Sequence, residues 1–269
     1  MAFFKFYINS GQEAMVDLEK DEAPVHIRRG IYLLPHLFTT SALFAAFYAI
    51  VAAMKLQFDV AAIAIFVAMI ADALDGRIAR LTNTMSTFGG EYDSLSDMVS
   101  FGVAPALVMY SWGLNFLGKP GWLMAFCYTA AVALRLARFN TQLEHPDKRY
   151  FYGLPCPSAA GVIAGMIWLQ DIYHLPDFLL SIIAGLLTVG LAVLMVSNIR
   201  YRSFKDSDLK DKVSYLTVLM VLLFFVAIAV DPPKVLFAVF FIYMLSGPVM
   251  ALKDRLKAWH QPKKKYFLF

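Results

Sequence analysis

Four carboxylates, those of Asp72, Asp75, Asp93 and Asp97, interrupt a part of the chain that is otherwise apolar enough to belong in a membrane. An ionised side chain at membrane depth costs roughly 2.5 kcal/mol or more, so it persists where it is paired, metal-bound or functional. On a helix, Asp72 and Asp75 are i,i+3 neighbours, and Asp93 and Asp97 are i,i+4 neighbours, so each pair projects from one face. Two such helices facing each other converge four carboxylates on one point, an oxygen-rich environment that suits Mg²⁺ or Mn²⁺. Gly76 and Ala79 share the helical face of Asp72, and Gly89 lies one turn before Asp93. Small residues beside the acids leave room for a bulky ligand such as a diphosphate. Arg80 follows with a planar fork suited to a phosphoryl oxygen. On their own, these residues read as a metal-assisted phosphoryl-transfer site. The plainer alternative is two membrane helices whose acids happen to sit near their ends.

The elements that must position such a site are set by composition. The 269 residues are 59% hydrophobic and 16% charged, which places the chain among integral membrane proteins. Apolar runs of about 20 residues fall near 38–56, 58–82, 93–117, 120–142, 157–174, 177–199, 212–230 and 234–252. The predicted fold is therefore an all-α polytopic membrane protein, a bundle of about eight transmembrane helices. The second and third runs carry the acids, and the polar stretch Thr82–Thr87 connects them. Three segments follow: an N-terminal lead-in (1–30), a transmembrane domain (31–252) and a basic C-terminal tail (253–269).

Charge placement orients this arrangement. Of the 24 lysines and arginines, only Lys55, Lys119 and Lys234 fall in the connections on one side. The positive-inside rule puts the others, with both termini and the motif loop, in the cytoplasm. Arg200, Arg202, Lys205, Lys210 and Lys212 and the run Lys263–Lys265 share that face, where they attract anionic headgroups or simply set topology. A net charge of +4, scattered along the chain, gives no argument for nucleic acid. The lead-in has no apolar core or small-residue cleavage site, so it does not read as a signal peptide. Cys127 and Cys156 do not form a disulfide framework; each reads as packing, Cys127 within an apolar run and Cys156 at a helix entrance between Pro155 and Pro157.

The acids and their neighbours also match the pattern D-x2-D-G-x2-A-R-x8-G-x3-D-x3-D at every fixed position: Asp72, Asp75, Gly76, Ala79, Arg80, Gly89, Asp93 and Asp97. This resembles the signature of the CDP-alcohol phosphotransferase family. Further stretches resemble its phosphatidylserine synthase branch: Glu91 to Ala106, Arg135-Leu-Ala-Arg138-Phe-Asn140 with Phe151 to Ala160, and Ser203-Phe204-Lys205-Asp206. With Leu34 to Thr40, the likeness extends over most of residues 30–212.

That resemblance implies an enzyme that moves the phosphatidyl group of CDP-diacylglycerol to the hydroxyl of L-serine, releasing CMP without a covalent intermediate. It implies a divalent metal, Mg²⁺ or Mn²⁺, held by Asp72, Asp75, Asp93 and Asp97, with Asp97 also the general base. Gly76, Ala79, Arg80, Gly89 and Thr39 would contact the CDP-lipid. Arg135, Arg138 and Asn140 would bind the serine or phosphate, unless the arginines only set topology. A homodimer is implied too. In a bacterial cell the membrane would be the inner (cytoplasmic) one, with the site, by the charge distribution above, facing the cytoplasm. The chain departs from the family on the first span, where His36 stands near an expected Asn, and Ser41 and Ala46 near an expected Asn or Gly. Two other readings differ in consequence. A sister enzyme would use glycerol 3-phosphate or inositol phosphate as acceptor. A cation transporter also gathers intramembrane acids, but places them near the midplane rather than beside a polar loop.

Overall fold

The structure is a computed structural model, and residues 33–82, 84–141, 150–173, 176–202 and 215–260 are described. Helix α1 (Leu33–Met54) turns through Lys55–Gln57 into α2 (Phe58–Leu81). The two lie against each other along a seam of buried alanines: Ala45, Ala46, Ala49, Ala52 and Ala53 on α1, and Ala61, Ala62, Ala64 and Ala68 on α2. Side chains this small let two backbones approach closely, which is how helices associate where lipid removes the hydrophobic drive. The seam fixes the depth and rotation of α2, and with them the positions of Asp72 and Asp75.

After the short connection, α3 (Thr87–Asp97) begins on Ser86, whose hydroxyl accepts from the Gly89 N–H at 3.0 Å. The helix continues through one π-wound segment, Met98–Val103, into α4 (Ala104–Trp112). A π turn shifts the carbonyl register, and here the Tyr128 hydroxyl donates to the Phe101 carbonyl at 3.0 Å. A 3-10 turn (Leu114–Leu117) leads to α5 (Lys119–Thr141), which packs along the π segment. Strand β1 (Tyr150–Tyr152), α6 (Cys156–Tyr173), α7 (Asp177–Val196) and strand β2 (Arg200–Arg202) follow. The strands pair antiparallel, Phe151 opposite Tyr201, and form a small ribbon on an otherwise helical protein. Helices α8 (Tyr215–Val230) and α9 (Pro232–His260) complete the described chain, and α9 packs on α6. Tyr201 plugs the ribbon into the bundle: it is fully buried, and burial pushes its hydroxyl up to about 12. It remains a donor, to the Met244 carbonyl at 3.1 Å.

The expectation of about eight transmembrane helices is corrected. Among the described residues, four helices are long and apolar enough to cross a membrane: Leu34–Met54, Lys119–Thr141, Phe178–Val196 and Pro232–Lys253. The physical reasons differ from run to run. Helix α2 has the length but carries Asp59, Asp72, Asp75, Arg77 and Arg80. The run at 93–117 is divided by the π segment and ends in a 3-10 turn. Helices α6 and α8 offer apolar stretches of only Cys156–Gln170 and Tyr215–Val230. Cys127 also departs from its expected packing role, since it is exposed, whereas Cys156 is buried at the start of α6. The 1–30 lead-in, Lys205, Lys210, Lys212, Ser203–Asp206 and Lys263–Lys265 lie outside the described residues.

The ribbon's entry into α6 depends on Gly153. Its φ of +81° is left-handed, and a Cβ there would stand 2.2 Å from the Met195 carbonyl oxygen. Gly118 has a similar φ of +63° but open space around it. Gly153→Ala should therefore cost about 1–2 kcal/mol for the backbone conformation plus about 1–3 kcal/mol for the clash. Gly118→Ala should cost only the first. Apparent melting temperatures in detergent should fall clearly further for Gly153→Ala; equal shifts would mean that the ribbon is not held as described.

Candidate metal centre

Asp72 and Asp75 come from the last turns of α2, and Asp93 and Asp97 from α3 one turn apart. Asp72, Asp75 and Asp93 each bring one carboxylate oxygen to within 4.8 Å of the others. The fourth predicted ligand, Asp97, stands in hydrogen-bonding contact with Asp72 but outside the trio. Asp75 is only 5% exposed, and the other three are half-buried. Buried carboxylates this close repel one another and need compensating charge. Among the described residues no Lys or Arg is ion-paired to them, and Asp75 Oδ2 and Asp93 Oδ1 are buried without a hydrogen-bond partner. Orphaned, converging carboxylate oxygens are what a hard divalent cation requires. The donor set fits such an ion, and does not by itself distinguish Mg²⁺ from Mn²⁺.

The surroundings are built from α1 and the start of α3. The Ser96 hydroxyl donates to the Thr39 carbonyl at 3.2 Å and ties α3 to α1. The buried Thr39 hydroxyl, which donates to the Pro35 carbonyl at 3.1 Å, also adjoins the Asp75 carboxylate. Gly76 has nothing within 4 Å of where a Cβ would be, so packing does not explain the glycine, whereas open space beside Asp75 does admit a ligand. Ala79 is half-buried and Arg80 exposed one turn beyond. At Gly89 a Cβ would sit 3.1 Å from both His36 Cε1 and Ser86 Oγ. His36 thus closes over Gly89 and lies near enough to Asp75 to act on it electrostatically. Its ring meets Phe88 edge-on at 5.6 Å and Tyr92 at 6.2 Å, and the Tyr92 hydroxyl is 2.9 Å from Thr40 Oγ1. The other departures lie away from the acids' contacts: Ser41 bonds back to the Leu37 carbonyl at 2.7 Å, and Ala46 is packed with Ala68 and Ala104.

The predicted acceptor residues are drawn toward the same end of the bundle. Asn140 Nδ2 donates to Ser94 Oγ at 3.1 Å, fastening the end of α5 beside Asp93. Arg135 Nη1 donates to Cys156 Sγ at 3.4 Å, while its Nε is buried without a partner. Arg138 and Arg200 both stand over the Tyr152 ring, each 5.8 Å from its centroid. Sequence reasoning did not single out Tyr152 or assign Arg200 to this cluster. The ribbon sets Tyr152 opposite Arg200, and Arg138 reaches them from the end of α5; no local pattern announces that meeting.

Comparison with known proteins agrees with this geometry. A family model described as CDP-alcohol phosphatidyltransferase matches residues 32–199, which include every acid of the cluster. The chain is 39% identical over 218 residues to the CDP-diacylglycerol–serine O-phosphatidyltransferase of Helicobacter pylori, covering 81% of this chain and 90% of that one. It is 32% identical over 243 residues to the protein of the same name from Mycobacterium tuberculosis, covering 87% and 84%. A Bacillus subtilis protein, also so named, is 40% identical over 141 residues, covering 52% of this chain and 73% of its own length.

The cluster makes a direct prediction. Mn²⁺ titration followed by electron paramagnetic resonance should show one class of sites lost or weakened at least about tenfold in Asp75→Asn and in Asp93→Asn. Asp59→Asn, an exposed acid at the opposite end of α2, should leave it unchanged. Equal binding in all variants would remove the cluster as the metal site.

Proposed function

The chain belongs to the CDP-alcohol phosphatidyltransferase family, and from that premise we propose that it transfers the phosphatidyl group of CDP-diacylglycerol to L-serine. The observation that carries the reaction class is the convergence of Asp72, Asp75 and Asp93 within 4.8 Å, with two of their oxygens buried and unpartnered. The choice of serine is supported by the relatives, which are named for that acceptor over most of this chain's length.

In this reading Asp72, Asp75 and Asp93 hold Mg²⁺ or Mn²⁺, with Asp97 as the fourth carboxylate. When bound, the ion supplies Lewis-acid stabilisation of the diphosphate oxygens and of the departing CMP. Gly76, Ala79, Gly89 and Thr39 leave or line the space for the donor, and Arg80 neutralises a phosphoryl oxygen. Asp97 accepts the proton of the serine hydroxyl, a weak nucleophile without a base in reach. The serine oxygen then bonds to the lipid-side phosphorus as the bond from that phosphorus to the bridging oxygen breaks. CMP departs with that oxygen, and phosphatidylserine remains. Arg135, through its unpartnered Nε, and Arg138, with Asn140 alongside, supply donors for the serine carboxylate.

The same reading places the site and both termini on the cytoplasmic face, on the evidence of the lysine and arginine distribution. It takes residues 31–252 as the catalytic transmembrane domain between the lead-in and the basic tail, and the working unit as a homodimer.

The test is CMP release from CDP-diacylglycerol by purified protein with Mg²⁺ or Mn²⁺. Release should require L-serine, disappear on chelation and fall by about 10²-fold or more in Asp97→Asn. Release supported by glycerol 3-phosphate or inositol phosphate instead would keep the donor and replace the acceptor.

A further inference from the structure

Pro105 governs how the chain leaves Asp97. A proline inside a helix removes one i→i−4 hydrogen bond, and its ring crowds the carbonyl four residues earlier. Here that carbonyl belongs to Phe101. The helix widens around it: Met98–Val103 is π-wound, and the Ala104 N–H donates to the Val99 carbonyl, an i→i−5 bond. The Phe101 carbonyl is instead satisfied by the Tyr128 hydroxyl at 3.0 Å, from a side chain of α5 that is fully buried. Val132, one turn further along α5, stands against Gly102, where a Cβ would lie 3.1 Å from its Cγ1. The glycine thus lets α5 come close enough for Tyr128 to reach the backbone.

A π turn carries one more residue than an α turn. The helices it joins are therefore offset by one position, about 100° of rotation at 3.6 residues per turn. That offset reconciles two demands on one continuous helix. Ala104, Pro105, Ala106, Val108, Met109 and Trp112 of α4 are buried, which anchors α4 in the core. In α3 only Ser96 is buried. The helix is tethered by the Ser96–Thr39 bond at 3.2 Å, the Tyr92–Thr40 bond at 2.9 Å and the Asn140–Ser94 bond at 3.1 Å. Were the segment α-wound, the offset would close, and the lightly held α3 would turn rather than α4. Asp93 and Asp97 would then swing away from Asp72 and Asp75.

We propose that Tyr128 is a positioning residue for the acids of α3. By holding the Phe101 carbonyl it keeps the π register, and that register keeps Asp93 and Asp97 turned toward α2. It acts through the backbone of the π segment rather than on the reacting atoms. This deepens the function proposed above and rests on it only for the turnover assay, since metal binding reads the aim of the acids by itself.

The experiment compares full-length Tyr128→Phe with Tyr128→Phe/Pro105→Ala. The first removes the hydroxyl and leaves the Phe101 carbonyl without its donor. The second offers that carbonyl an N–H four residues on and frees the segment to wind as an α-helix. If Tyr128 merely satisfies a carbonyl, the added change should restore stability and metal binding together. For a positioning residue the two readouts part. Tyr128→Phe should weaken Mn²⁺ binding, followed by electron paramagnetic resonance, about threefold. It should also lower kcat for serine-dependent CMP release about tenfold at saturating metal. Adding Pro105→Ala should raise the apparent melting temperature in detergent above that of Tyr128→Phe, which also shows that the variant is folded. Its Mn²⁺ binding should nevertheless fall further, to about tenfold or more below the unaltered protein. Mn²⁺ binding that recovers with the melting temperature, or that is unchanged in both variants, would overturn the proposal. So would a double variant that melts below Tyr128→Phe. Weakened Mn²⁺ binding in both variants of a protein without serine-dependent turnover would support the positioning and defeat only the choice of acceptor.

Discussion

Mutual repulsion among carboxylates in a poorly hydrated setting is the constraint on which this structure turns. Asp72, Asp75 and Asp93 each bring a carboxylate oxygen to within 4.8 Å of the others, with Asp97 against Asp72 and no Lys or Arg among the described residues ion-paired to them. Such a cluster is unfavourable until a cation occupies it, so the surrounding protein must hold it together. The alanine seam between α1 and α2 sets one half, and the Ser96–Thr39 hydrogen bond sets the other against it. The fold stores an arrangement that ligand binding relieves, which is the physical sense of preorganisation.

Around that centre the surroundings differ by direction. The space beside Gly76 opens next to the acids, whereas His36 closes over Gly89. The end of α5, fastened by Asn140 to Ser94, brings Arg135 and Arg138 toward the same end of the bundle. An apolar groove of about 370 Å³, with Arg77 its one charged lining residue, lies on the other side of α2 against α9.

Much of the site was legible in the sequence because its information is local. Two pairs of acids at helical spacing, with small residues at defined offsets, specify a face of a helix whatever the tertiary context. The count of eight spans was less legible, because hydropathy reads runs of apolar residues rather than helix lengths. The apolar run of α2 is broken by the very residues that define the site, and the π segment after Asp97 divides a run that looked continuous. The meeting of Arg138, Tyr152 and Arg200 was not legible at all, since it depends on a three-residue ribbon joining distant parts of the chain. His36 was visible only as a departure. Its contact with Gly89 and its aromatic partners Phe88 and Tyr92 emerge only when α1 and α3 are brought together.

If the acids of α2 and α3 form one divalent-cation site, a crystal structure of the protein grown with Mn²⁺ and measured at the manganese absorption edge will reveal it. An anomalous peak is expected among the carboxylate oxygens of Asp72, Asp75 and Asp93, lost in Asp93→Asn. A peak elsewhere, or none in crystals of active protein, would contradict it.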